Sequence, residues 1–177
     1  MTRDVVIEER PKKRLTGISA RTSMAASAED CPALWEEFMT YVTSILGPHR
    51  DCDAYGVSTD AAEDMTFTYW ATLDVLPEML GLAPNWVPAP PRLPVPLRIE
   101  GLSTVDVRAG LYAVATVPSI AALPGAYGHV YDAWAKAQTE YAVDFGAPSF
   151  ELYPAAWRDG DPLRLFVPVR RRRADAN

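Results

Sequence analysis

Glu151 is the residue of this chain most open to a chemical role. It stands in Ser149-Phe150-Glu151-Leu152-Tyr153, a strand-like run in which one carboxylate sits among large apolar and aromatic side chains. Side chains alternate along a strand, so Phe150 and Leu152 are expected to enter a core while Ser149, Glu151 and Tyr153 share the other face. On a wet face Glu151 would be an ordinary strand carboxylate, paired with an arginine such as Arg164. On the floor of an aromatic cleft it would be a fixed negative charge at low dielectric, suited to hold an organic cation or to act as acid or base. A cation about 4 Å away gains on the order of 4 kcal/mol at an effective dielectric near 20, before desolvation is subtracted.

Few other residues offer chemistry. No Ser-His-Asp or Cys-His arrangement is visible, which disfavours covalent catalysis. The two histidines are His49 and His129, and the two cysteines Cys31 and Cys52. His49 with Cys52 gives one isolated His-x-x-Cys, short of the four ligands of a structural zinc site, and the cysteine spacing does not suggest a disulfide framework. Neither a metal nor a cofactor is expected. Aromatic side chains could wall a cleft: Trp70, whose face is otherwise Thr68 and Thr72, then Tyr112, Tyr153 and Trp86. Each aromatic face near a cation adds roughly 0.5–2 kcal/mol. Trp35, Phe38, Tyr127 and Trp134 read instead as packing between helix and sheet, with Trp134 able to reach a groove.

These residues need elements to position them. Val5 to Glu9 and Leu15 to Arg21 read as strands around Arg10-Pro11-Lys12-Lys13. A helix follows, with Asp30 as N-cap, Pro32 in the first turn, and Leu34, Phe38, Tyr41, Val42 and Ile45 at helical spacing. Gly47-Pro48 ends it. Ala54 to Ser58 and Met65 to Val75 read as strands, the latter alternating Phe67, Tyr69, Leu73 and Val75 with Thr66, Thr68, Trp70 and Thr72. From Pro77 to Pro96 seven prolines fall among twenty residues, a long connector in which Trp86, Val87 and Leu93 favour packing over disorder. Beyond it come strands at Ser103 to Val107 and Leu111 to Val117. A second helix spans roughly Ala121 to Ala137 with Leu123, Tyr127, Val130 and Trp134 on one face, and Pro124 limits where its first turn can begin. Strands at Ser149 to Tyr153 and Leu163 to Val169 flank an Asp159-Gly160-Asp161-Pro162 turn.

At 177 residues and 49% hydrophobic the chain can bury a core and forms one domain or two fused halves. A net charge of −6 argues against nucleic-acid binding, which needs a basic surface, and leaves Arg170 to Arg173 as a solvated tail. The first ten residues lack the apolar run of a signal peptide, and no segment is apolar for long enough to span a bilayer. A cytoplasmic protein without membrane contact is expected.

The two halves repeat one order: strand, helix, strand, strand. Tyr55-Gly56-Val57 falls 95 residues before Phe150-Glu151-Leu152, and Phe38 falls 96 before Trp134. Such a duplication lets two small sheets meet about a pseudo-twofold axis with a groove between them. Gly56 is then the counterpart of Glu151, so that one half supplies a charge and the other supplies space. The half-units are residues 1–76 and 100–170, joined by the connector 77–99.

In this order the chain resembles the GyrI-like family, the effector-binding domain of AraC-type and MerR-type multidrug regulators. The resemblance is carried by Ala33-Leu34-Trp35-Glu36-Glu37-Phe38, Tyr55-Gly56-Val57, Ala109-Gly110-Leu111-Tyr112-Ala113-Val114, Ala126-Tyr127-Gly128-His129-Val130-Tyr131-Asp132-Ala133-Trp134, Phe150-Glu151-Leu152-Tyr153 and Leu165-Phe166-Val167-Pro168-Val169. It implies an α+β fold of duplicated βαββ units, forming one antiparallel sheet with two helices and a central ligand groove. It further implies lipophilic, often cationic aromatic ligands, with the carboxylate at Glu151 facing them. The resulting reading is a stand-alone binding protein for such cations, through Glu151, Trp70, Tyr112, Tyr153, Trp86, Trp134 and Gly56. Two alternatives come from the same resemblance. One is hydrolysis of reactive cyclopropane-type natural products by Glu151 with Tyr112 or Tyr153, and the other is a protein partner such as DNA gyrase. The chain departs from the family pattern at Val117-Pro118-Ser119, at Trp134-Ala135-Lys136 and in its long connector.

Overall fold

The computed structural model describes residues 4–47, 51–81 and 99–172. Among these residues nine strands form one sheet in the order β1-β6-β9-β8-β3-β4-β2-β5, with β7 added beside β9 and every pairing antiparallel. The strands are β1 (Val5–Arg10), β2 (Lys13–Ser23), β3 (Ala54–Thr59), β4 (Thr66–Leu73), β5 (Ile99–Val107), β6 (Gly110–Val117), β7 (Tyr141–Val143), β8 (Ser149–Tyr153) and β9 (Leu163–Arg171). The short β7 lacks a sequence signal strong enough to predict it. The centre of the sheet reads β6-β9-β8 from one side and β2-β4-β3 from the other, the same order in each βαββ half. β3 and β8 meet at the seam, where Gly56 stands opposite Glu151.

The first strands of the two halves are exchanged at the edges. β1 pairs with β6 and β5 with β2, although β1 is joined to β2 only through Pro11 and Lys12, and β5 to β6 only through Arg108 and Ala109. Five strands lie between β1 and β2 in the sheet order, a separation of about 29 Å if the sheet were flat. The three Cα steps from Arg10 to Lys13 reach about 11 Å. The sheet is therefore strongly curled at that end. Its inner face buries Leu15, Tyr55, Val57, Tyr112, Val114, Phe150, Leu152 and Phe166. Lys12 and Arg14 on Asp106, and Lys13 on Asp74, ring the closed end.

The helices cover the outer face. α1 (Ser27–Leu46) begins four residues earlier than an N-cap at Asp30 suggests, with Ala26 at the N-cap position. Asp30 instead accepts a 2.6 Å hydrogen bond from Thr22 on β2, tying the first turn to the sheet. Pro32 lies inside the helix, and Gly47, at φ 81°, stops it as expected. Leu34, Phe38 and Val42 pack on Ile18, Ala20, Ala71 and Leu73. The second helix is composite: a 3-10 turn at Ile120–Ala122, α2 (Leu123–Gly128) with Pro124 in its first turn, a π-helical turn at His129–Trp134, and α3 (Ala135–Ala137). α1 rests on β2 and β4, and α2 on β6 and β9, so the β3–β8 seam falls between them.

Candidate functional site

Glu151 lies at this seam on the helix-covered face and is 2% exposed. Strand parity places it as expected, with Phe150 and Leu152 in the inner core and Ser149, Glu151 and Tyr153 outward. That outward face is not water, since all five residues of β8 are buried. Arg164 is not its partner: that guanidinium is on the inner face, against Glu8 and over the Phe166 ring.

Three phenols hold the carboxylate. Tyr69 of β4 donates to Oε2 at 2.8 Å, Tyr127 of α2 donates to Oε1 at 2.6 Å, and Tyr153, two residues along β8, donates to Oε2 at 3.3 Å. The Tyr69 oxygen in turn accepts from the Trp35 indole of α1 at 3.0 Å. Both helices and two strands therefore converge on one carboxylate. Gly56 makes this possible, because a Cβ there would run into the Glu151 carboxylate and the Tyr69 hydroxyl. Among the described residues no lysine, arginine or histidine is ion-paired with Glu151.

The electrostatics follow from burial. Desolvation pushes the Glu151 carboxyl above its ordinary range, while the hydrogen bonds from Tyr127, Tyr69 and Tyr153 pull it back part of the way. Burial, and then the charge of Glu151, hold the three phenols well above theirs, so all three remain donors. The same two causes, with Asp30, push the nearby Cys31 thiol up to about 12. A preformed anionic or proton-sharing centre sits here with no cationic counterpart among the described residues.

The sheet divides the residues expected at the site. Glu151, Tyr153 and Gly56 come together, and Trp134 is half-buried against the same outer core. Trp70 and Tyr112 do not join them. Trp70 faces inward and donates to Thr59 Oγ1 at 3.2 Å. Tyr112 is buried edge-on to Phe150 and Phe166 and donates to the Arg108 carbonyl at 2.7 Å. A single cleft walled by Trp70 and Tyr112 around Glu151 is thus ruled out by the intervening sheet. The threonine face misled because Thr72, fully buried, satisfies itself on the Tyr55 carbonyl and sits in a dry core after all. Trp86 and His49 lie outside the described residues, and no cluster of metal-ligating side chains occurs among those described.

Sequence reasoning missed Tyr69, Tyr127 and Trp35. Tyr69 carried a signal in its alternation with Trp70, which assigns the two to opposite faces. Tyr127 and Trp35 looked like helix-to-sheet packing because they do pack so; only the Tyr127 hydroxyl reaches the carboxylate, and the Trp35 indole reaches it through Tyr69.

The chain resembles solved structures over nearly its whole length. An integron cassette protein from the mobile metagenome of Vibrio cholerae superposes with a TM-score of 0.64 at 18% identity, covering 94% of this chain and 95% of that one. SAV2435, solved bound to tetraphenylphosphonium, superposes with a TM-score of 0.64 at 12% identity over 94% of each chain. The C-terminal domain of EcmrR gives a TM-score of 0.54 at 11% identity, with 96% of this chain and 99% of that one covered. Among curated proteins no sequence match is found. At these identities the likenesses speak for the fold. The profile of the GyrI-like small molecule binding domain matches residues 3–170, and with the carboxylate at the seam of its duplicated sheet, the chain belongs to the GyrI-like family of small-molecule-binding domains.

Proposed function

We propose that this domain binds lipophilic organic cations of aromatic character, for sequestration or sensing, with Glu151 as their counter-charge. The observation that carries the reading is a carboxylate 2% exposed, held by three phenols and ion-paired with no cation among the described residues. Burying a charge without a partner is costly and is retained where the site gains from it. Tyr127, half-buried on α2, donates to Oε1, so a ligand that takes that oxygen displaces its hydroxyl. The tetraphenylphosphonium bound by SAV2435 is a ligand of this chemical kind.

The test is fluorescence titration with rhodamine 6G. Glu151→Gln is expected to weaken binding roughly 10- to 100-fold, the scale of a hydrogen-bonded charge contact, while leaving a neutral dye of similar shape unaffected. Wild-type affinity for the cation is expected to fall about tenfold per pH unit once pH drops below the raised Glu151 value. Equal affinities for wild type and Glu151→Gln, or a flat profile from neutral to mildly acidic pH, would refute the assignment.

The 2.6 Å Tyr127–Glu151 contact also favours one second reading. Glu151 would serve as acid or base toward water and a strained electrophile, with Tyr127 or Tyr153 polarising the electrophile; Tyr112, on the far face, has no such role. New product by mass spectrometry from an alkylating cyclopropane compound, abolished in Glu151→Gln, would establish it.

A further inference from the structure

From Tyr127, aromatic rings continue outward to the surface. Tyr127 stacks on Tyr131, one helical turn later, with ring centroids 6.2 Å apart and planes 13° from parallel. Tyr131 stacks in turn on Phe145, at 5.8 Å and 29°. Exposure rises along the row: the carboxylate is sealed, Tyr127 and Tyr131 are half-buried, and Phe145 is 78% exposed. Ser149, next outward from Glu151 on the same face of β8, lies beside the Tyr131 hydroxyl.

The exposure of Phe145 is built in. Its turn is fixed by the Asp144 amide donating to the Pro168 carbonyl at 2.9 Å, by the Gly146 amide donating to Asp144 Oδ1 at 3.1 Å, and by Arg108 donating to Asp144 Oδ2 at 2.6 Å. A lone exposed phenylalanine is unremarkable. One held by a pinned turn in parallel register with two tyrosines, the inner of which bonds the buried carboxylate, has a more specific use. A π-helical turn begins at His129 and carries Tyr131, and such turns recur at functional sites.

We propose that Tyr131 and Phe145 form an outer aromatic subsite, so that the preferred ligand is an elongated multi-ring cation whose charged end meets Glu151 and whose far ring lies on Phe145. The proposal deepens the binding reading above and rests on it. Parallel rings favour planar aromatic surfaces in offset stacking, and the ascending exposure offers a path along which a lipophilic cation leaves water one ring at a time.

Rhodamine 6G affinities of wild type, Phe145→Ala, Phe145→Trp and Glu151→Gln test it. Phe145→Ala is expected to bind 3- to 10-fold more weakly with an unchanged melting temperature, Phe145→Trp to stay within about twofold of wild type, and Glu151→Gln to be weakened as above. Weakening by Glu151→Gln without weakening by Phe145→Ala overturns the subsite and leaves the binding reading intact. No effect of Glu151→Gln overturns the binding reading and, with it, a continuous site. If sedimentation shows that Phe145→Ala changes the association state while dye affinity is unchanged, Phe145 serves a second copy of the chain and the subsite is overturned.

Discussion

A desolvated glutamate with no ion-pair partner among the described residues works against its own fold. The raised Glu151 value means that the folded chain binds a proton more readily than the unfolded one between the ordinary value of 4.5 and the raised value. Stability from this group is therefore greatest at acid pH and is lost as pH rises through that window. Glu151→Gln removes the dependence, keeps the volume, and still offers an acceptor to Tyr69 or Tyr127. The variant is expected to melt above wild type at pH 8, with the difference shrinking toward pH 5, by thermal denaturation at both pH values. A variant that melts lower at every pH would show that the three phenols more than repay the burial. A gain in stability with a loss of dye affinity is the pattern of a residue kept for function.

The seam between β3 and β8 is the element on which the site depends. Its register sets Gly56 against Glu151 and Val57 against Phe150, so a glycine in one half makes room for a side chain of the other. Gly56→Ala would drive a methyl group into the carboxylate and the Tyr69 hydroxyl. Overpacking of this kind costs about 1–3 kcal/mol, a fall of roughly 2–12 °C in melting temperature for a chain of this length. Shortening the opposing side chain relieves part of the clash, so Gly56→Ala combined with Glu151→Asp is expected to recover part of that loss. Additive losses in the double variant would show that the two positions do not meet.

At the scale of the molecule, exchange of the edge strands closes the fold. β1 pairs with β6 over six residues and brings Glu8 to Arg164 and Arg10 over the Phe166 ring. A chain lacking residues 1–10 would leave β6 paired only with β9, its outer edge open beside the Tyr112–Phe150–Phe166 cluster. Open edges of that kind recruit other strands. The truncated chain is expected to melt lower and to elute at a size that grows with concentration in gel filtration, whereas a truncated chain that keeps the size and stability of the intact one would show that β1 is dispensable.

Much of this was legible in one dimension. Alternation in β8 put Glu151 and Tyr153 on one face, and the repeat made Gly56 the counterpart of Glu151; that the two stand opposite each other on paired strands is seen only in the fold. Gly47, Pro124 and the turn before β9 marked ends and starts, because backbone geometry is a local property. What surrounds Glu151 was not local. Tyr69, Tyr127 and Trp35 come from β4, α2 and α1, and their convergence depends on the strand order and on where each helix lies over the sheet. The same order put Trp70 and Tyr112 behind the sheet, where a buried threonine could bond a backbone carbonyl as readily as water. Which polar atoms meet is decided by packing between elements distant in sequence, and the chain's alternating pattern could assign their faces without naming their neighbours.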